Sequence, residues 1–159
     1  MLLRIQPIIT IMSDLTKETA RSAVTMLRLG EVSPLELIDA AVARIEATNP
    51  QLNALPTLCV ERARAHAKRI MSDGQGAGDA AGWLGGLPIA IKDLNEVAGV
   101  RTTYGSPIFA DHVPDFSDTT VQTLERNGGI VLAKSNAPEF GHGGTTFLKE
   151  NGVVVIVVS

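Results

Sequence analysis

The sequence predicts an α/β fold with a helical first half. Two observations carry this. Apolar residues recur at helical spacing up to about residue 71. After Gly86 they gather instead into two short unbroken runs, separated by one amphipathic segment, which reads as strand, helix, strand. The scale agrees: 159 residues suit a single domain, and such a chain can bury about 68–70% of its unfolded surface.

Thr16 is placed to cap a helix over about residues 17–29, with Gly30 just past its end. Ser33, Pro34 and Glu36 then supply an N-cap serine, a proline at the first helical position and a glutamate at N3. That capping box satisfies two orphan backbone donors. Leu37, Ile38, Ala41, Val42 and Ile45 continue it as one apolar stripe. Asn49-Pro50 is expected to end it, because the residue before proline avoids the helical region. A third helix is expected from about Val60 to Met71, its Arg, Lys and Glu residues forming a solvated face.

Residues 73–86 are rich in Gly and Ala and read as a loop. No phosphate-loop pattern frames them. Leu87 to Ile91 reads as a buried strand ending in Lys92 and Asp93. A Thr/Gly/Ser-rich turn region follows over Gly99 to Ser106. Asp118 can cap a helix from about Thr119 to Arg126, stopped by Gly128-Gly129. Ile130 to Ala133 reads as a second buried strand, ending in Lys134.

Composition removes several functional classes. A net charge of −3 leaves no basic footprint for nucleic acid. The single cysteine, Cys59, excludes an internal disulfide and a cysteine-cluster zinc site. Three scattered histidines (His66, His112, His142) argue against a histidine metal site. Residues 1–12 form an apolar run too short to span a membrane, which takes about 20 residues. They lack the basic start and cleavage site of a signal peptide. The expectation is a mobile arm over residues 1–13, or a start at Met12, in a cytoplasmic chain.

Lys92 is the position singled out for chemistry. It closes an apolar strand, where catalytic groups commonly face the loops. Burial pushes a lysine toward its neutral form, and a neutral lysine is a general base. The competing reading is an ion pair with Asp93 or Glu96. Lys134, followed by Ser135 and Asn136, reads as a structural brace. Thr102, Thr103, Ser106 and Ser135 lack the strand–turn–helix setting of one kind of exposed nucleophile and read as turn residues. His142 reads as an exposed loop residue among Gly141, Gly143 and Gly144. Asp93 and Glu139 are carboxylates with no evident acid/base pairing.

The stretch GGLPIAIKDLNEVAGVRTTYGSPIF (residues 85–109), followed by SDTTVQTLERNGGIVLAKSNAPEFG (residues 117–141), resembles the N-terminal part of the amidase signature family. The helical lead-in fits as well, so the resemblance covers about residues 14–146. It implies a mixed α/β/α amidase-type sheet, here incomplete. It also implies a Ser–Ser–Lys triad with Lys92 as its lysine, acting on carboxamides without metal or organic cofactor. In the family a neutral lysine takes a proton from a bridging serine, which activates the nucleophilic serine.

Both family serines lie further along the family pattern, and this chain leaves that pattern after Thr146. Residues 147–159 read as a divergent tail, and Ser159 is not nominated as a nucleophile. Val153 to Val158 is an uncharged β-branched run of aggregation-prone character. The expectation is a truncated or frameshifted amidase, inactive alone, whose parent takes a small-molecule amide and binds neither nucleic acid directly nor membrane. The alternatives are a non-catalytic interaction module, one half of a split protein completed by a C-terminal chain, or part of the amidase-like component of an amidotransferase.

Overall fold

A computed structural model describes residues 15–73, 80–143, 147–148 and 152–153. The expected arm, the centre of the glycine-rich loop and most of the tail lie outside these residues. The elements are helices α1 (Ala20–Leu29), α2 (Pro34–Leu52), α3 (Val60–Ser72) and α4 (Thr119–Arg126). The strands are β1 (Thr57–Leu58), β2 (Pro88–Lys92), β3 (Ile130–Ser135), β4 (Phe147–Leu148) and β5 (Gly152–Val153). Among the described residues no helix is long and apolar enough to cross a membrane.

The capping box forms as the sequence implies. The Ser33 hydroxyl accepts from Glu36 N at 3.2 Å, and the Glu36 carboxylate accepts from Ser33 N at 2.8 Å. These bonds hold the Glu36 carboxyl below its ordinary range. Two boundaries and one capping bond differ from expectation. α1 is capped by Thr19 rather than Thr16, because Thr19 takes the extended backbone and its hydroxyl accepts from Ser22 N. α2 runs through Pro50 to Leu52 and stops at Asn53, whose left-handed backbone closes onto Asn49 O at 2.7 Å. Proline removes only one donor so close to a helix end, and the Asn49 amide secures the exit by bonding both N and O of Leu55. Asp118 stands at the N-cap of α4, but its carboxylate accepts from Asn95 and Glu96 N instead of capping.

β3 is the middle strand in the order β1-β3-β2. β2 runs parallel to it and β1 antiparallel. The two-residue β1 has no counterpart in the sequence reading. It is too short to show a period, and it is fixed by pairing Thr57 with Lys134 and Leu58 with Ala133. β3 is buried from Ile130 to Lys134, as a strand covered on both faces should be. Ile130 and Leu132 pack with Ile38, Ala63, Ala67 and Ile70 of α2 and α3. Val131 packs the other way, with Ile91, Val97, Val100 and Val121. A smaller cluster of Ala23, Leu27, Val32 and Leu37 seats α1 against α2. β4 and β5 pair antiparallel as a separate two-stranded unit.

Residues 83–86 staple the halves together. Arg28 donates to the carbonyls of Ala80 and Trp83, while Leu84 N and Gly86 N donate to Asn127 O and Gly128 O. Two glycines make this possible. Gly86 has φ +99°, and a Cβ there would lie 2.4 Å from Cγ of Pro34. Gly128 has φ +79° and lies under the Trp83 ring. Gly86→Ala is therefore expected to destabilise the chain by about 2 kcal/mol or more, from backbone strain plus overpacking. Urea denaturation checks it, and a loss below about 0.5 kcal/mol, the scale of an innocuous surface change, would show that the Pro34 contact yields freely.

Candidate active site

The candidate site lies where β2 and β3 end. Up to Ile89 the parallel register pairs Ile89 with Val131. There the register shifts, so that Ala90 faces Ala133, Ile91 faces Lys134 and Lys92 faces Ser135. The extra residue, Leu132, acts as a bulge and changes the phase of β3. Without it Lys134 would fall on the face opposite Val131, since side chains alternate. With it, Lys134 shares a face with Ile91 and with Asp93, two residues beyond.

Lys134 is fully buried. Its Nζ donates to Asp93 Oδ1 at 3.0 Å and to Thr102 Oγ1 at 2.6 Å. Asp93, also fully buried, accepts on Oδ2 from Thr103 N and from the Thr103 hydroxyl. Asp93 N donates to Ser135 O, which joins the two strand ends across the backbone. Thr103 Oγ1 accepts in turn from Gly105 N at 3.1 Å. Burial pushes the Lys134 ammonium below its ordinary range, and the Asp93 carboxylate opposes that shift.

A second cluster packs beside this knot. Glu96 Oε1 accepts from the Tyr104 hydroxyl and meets His112 Nε2 at 3.0 Å. The hydrogen bonds from Tyr104 and His112 hold the Glu96 carboxyl below its ordinary range. Burial and the Glu96 bond push the Tyr104 hydroxyl up to about 12. Tyr104 also stacks on His112 and meets Phe109 edge to face. Ser106, fully buried, donates to Glu139 at 2.7 Å.

Lys92 lies on the opposite face from Asp93 and is exposed. Among the described residues it pairs with neither nearby carboxylate: Asp93 is taken by Lys134, and Glu96 by Tyr104 and His112. The ion pair weighed as the competing reading at Lys92 is thus made one strand away, by the lysine read as a brace. His142 is exposed, as expected. Thr102, Thr103 and Ser106 are fully buried partners of charged groups and do more than satisfy a turn. Burial pushes the Cys59 thiol up, and it faces Val131 O at 3.4 Å, which fits an unreactive core group. Sequence reasoning missed the Glu96–Tyr104–His112 cluster. Its signal, a carboxylate and two ring donors within one turn-rich segment, is present in the sequence but unspecific.

The sequence profile of the Amidase family matches residues 36–154. The chain belongs to this family. The glutamyl-tRNA(Gln) amidotransferase A subunit of Synechococcus sp. (strain CC9605) is 42% identical over 120 residues, which is 76% of this chain and 24% of the relative. Its counterpart in Granulibacter bethesdensis is 38% identical over 146 residues, covering 90% of this chain and 28% of the relative. This amidase-family chain therefore spans about a quarter of the length of the curated relatives it matches. Its fold overlays 6-aminohexanoate cyclic dimer hydrolase with a TM-score of 0.74 and 27% identity, covering 86% of this chain and 27% of that one. A bacterial aryl acylamidase of the amidase signature family gives 0.70 and 26%, over 81% and 27%. The mixed α/β sheet anticipated from the motif is thus the family's own.

The two lysines of this amidase-family chain should respond differently to truncation. Lys134→Ala leaves Asp93 charged, buried and without its cation, and should cost about 3–5 kcal/mol. Lys92→Ala should change stability by no more than about 0.5 kcal/mol. Denaturant melts of the two variants check the contrast, and equal losses would contradict it. Tyr104 is the only tyrosine, so ultraviolet titration reads it alone. Its midpoint should fall near about 12, and Glu96→Gln should lower it. The sign follows from linkage: the folded state keeps its proton longer than the unfolded chain, so this contribution to stability holds below about pH 10 and is lost as pH rises toward about 12.

Proposed function

We propose that Lys92 is the lysine of a Ser–Ser–Lys centre that hydrolyses carboxamides to a carboxylic acid and ammonia or an amine. Two serines from polypeptide outside residues 14–146 complete it, either a continuation of the same parent or a companion chain. The neutral lysine takes a proton from the bridging serine, which takes one from the nucleophilic serine. That oxygen attacks the carbonyl carbon, the amine leaves with a proton, and water releases the acyl group. Backbone N–H groups of a glycine-rich loop hold the oxyanion. On this reading the reaction needs no cofactor and is cytoplasmic.

One observation carries the reading. In the PIAIKD stretch the lysine side chain is exposed at the strand end, while the adjacent aspartate is locked in the interior by a second lysine. A lysine acts as a base only when neutral, and withdrawal from water favours that form. The completing polypeptide must therefore cover Lys92 as well as supply serines.

The curated relatives favour a second reading within the same chemistry. They belong to glutamyl-tRNA(Gln) amidotransferases and are 38–42% identical to this chain. On that reading glutamine is the amide, and the released ammonia passes to a partner subunit instead of leaving as product.

The test joins this chain to the remaining polypeptide of a close relative and follows ammonia release from simple carboxamides and from glutamine. Lys92→Ala should lower kcat by about 10³-fold or more, and Lys92→Arg should not rescue it, since arginine stays protonated. Activity that survives Lys92→Ala within about tenfold, a loss far below that of a triad member, would remove Lys92 from the mechanism.

A further inference from the structure

A groove of about 360 Å³ lies between α3 and α4, away from the strand ends, and it is lined by Arg62, His66, Arg69, Gln122, Glu125 and Arg126. Arg62, His66 and Arg69 recur at helical spacing and so share one face of α3. Glu125 and Arg126 come from the last turn of α4. The Arg62 guanidinium is bound through both of its terminal nitrogens by Glu125, at 2.7 and 3.2 Å. That fork uses the groove's one carboxylate. Among the described residues neither Arg69 nor Arg126 pairs with a carboxylate. A chain of net charge −3 thus concentrates two uncompensated guanidinium charges at one concave place.

The wall of the groove also holds an unpartnered polar atom. His66 Nδ1 is buried and makes no hydrogen bond, standing 3.6 Å from Glu125 Oε1. A buried ring nitrogen without a partner costs free energy unless something outside the chain satisfies it. Guanidinium groups suit oxyanions because their planar forks give paired, charge-assisted hydrogen bonds. Burial, together with Arg69 and Arg62, pushes the imidazole below its ordinary range, with Glu125 opposing.

From this arrangement we infer an oxyanion site between α3 and α4 that takes a phosphate group, free or as the terminal monoester of a small molecule. Arg69 and Arg126 clamp the anion beside the His66 ring. Arg62, held rigid by Glu125, forms the charged floor. The site is independent of Lys92 and of amide chemistry.

The test uses the full chain, with inorganic phosphate, inorganic sulfate and glycerol phosphate titrated at constant ionic strength and the His66 ring signals followed by NMR. Saturable binding is expected with a dissociation constant on the order of 1 mM. Arg69→Ala and Arg126→Ala should each weaken it by about fivefold or more, the loss of one charge-assisted contact. Arg64→Ala, which removes an exposed pair with Asp39 elsewhere on α3, should leave it unchanged. Glycerol phosphate binding more tightly than phosphate assigns the site to a monoester, and equal affinities assign it to the free oxyanion. Absence of saturation, or binding indifferent to Arg69 and Arg126, overturns the inference. Because all variants are surface changes, a melt in parallel confirms that each chain remains folded.

Discussion

Everything at the candidate site hangs on one buried ion pair. Removing an ammonium and a carboxylate from water costs several kcal/mol each, and their attraction returns that only with good geometry and further partners. Lys134 and Asp93 meet both conditions, through Thr102 on one side and Thr103 on the other. The pair thereby ties three things that no apolar contact would hold in phase: the end of β2, the end of β3 and the turn at residues 102–106. Since side chains alternate along a strand, fixing Asp93 inward also fixes Lys92 outward. The direction of the exposed lysine is thus set by a charge that never reaches solvent.

The local parts of this fold are readable in the sequence, and the non-local ones are not. Ser33, Pro34 and Glu36 can be read because a capping box is complete within four residues. α4 can be bounded by Asp118 and Gly128, although the Asp118 carboxylate serves Asn95 and Glu96. Pro50 misleads because the end of α2 depends on the Asn49 amide reaching Leu55, which no propensity encodes. The two lysines give the sharpest case. PIAIK and IVLAK present the same local signature, an apolar run closed by lysine, yet one lysine is exposed and the other fully buried. A one-residue shift in strand register separates them, and register is a property of two segments some forty residues apart.

The same logic explains why the second cluster escapes a linear reading. Glu96, Tyr104 and His112 are spread over one long connection, and only its folding around the Asp93 knot brings a carboxylate between two ring donors. The segment that the Amidase profile matches therefore holds more than the exposed lysine. It marks the residues that make the connection fold: Asp93, Thr102, Thr103 and the distant Lys134 are all inside the matched segment.

The chain has one tryptophan and one tyrosine, and the fold sets them at opposite ends of the parallel strands. Trp83 lies against Gly128, where α4 turns into β3 and where the helical first half is stapled on. Tyr104 lies beyond the other end, bonded to Glu96. The molecule is thus divided optically without any label. Indole emission reports the joint between its halves, and phenol absorbance reports the turn beside the buried charges. Unfolding that starts at one end of the sheet would be seen in one chromophore before the other.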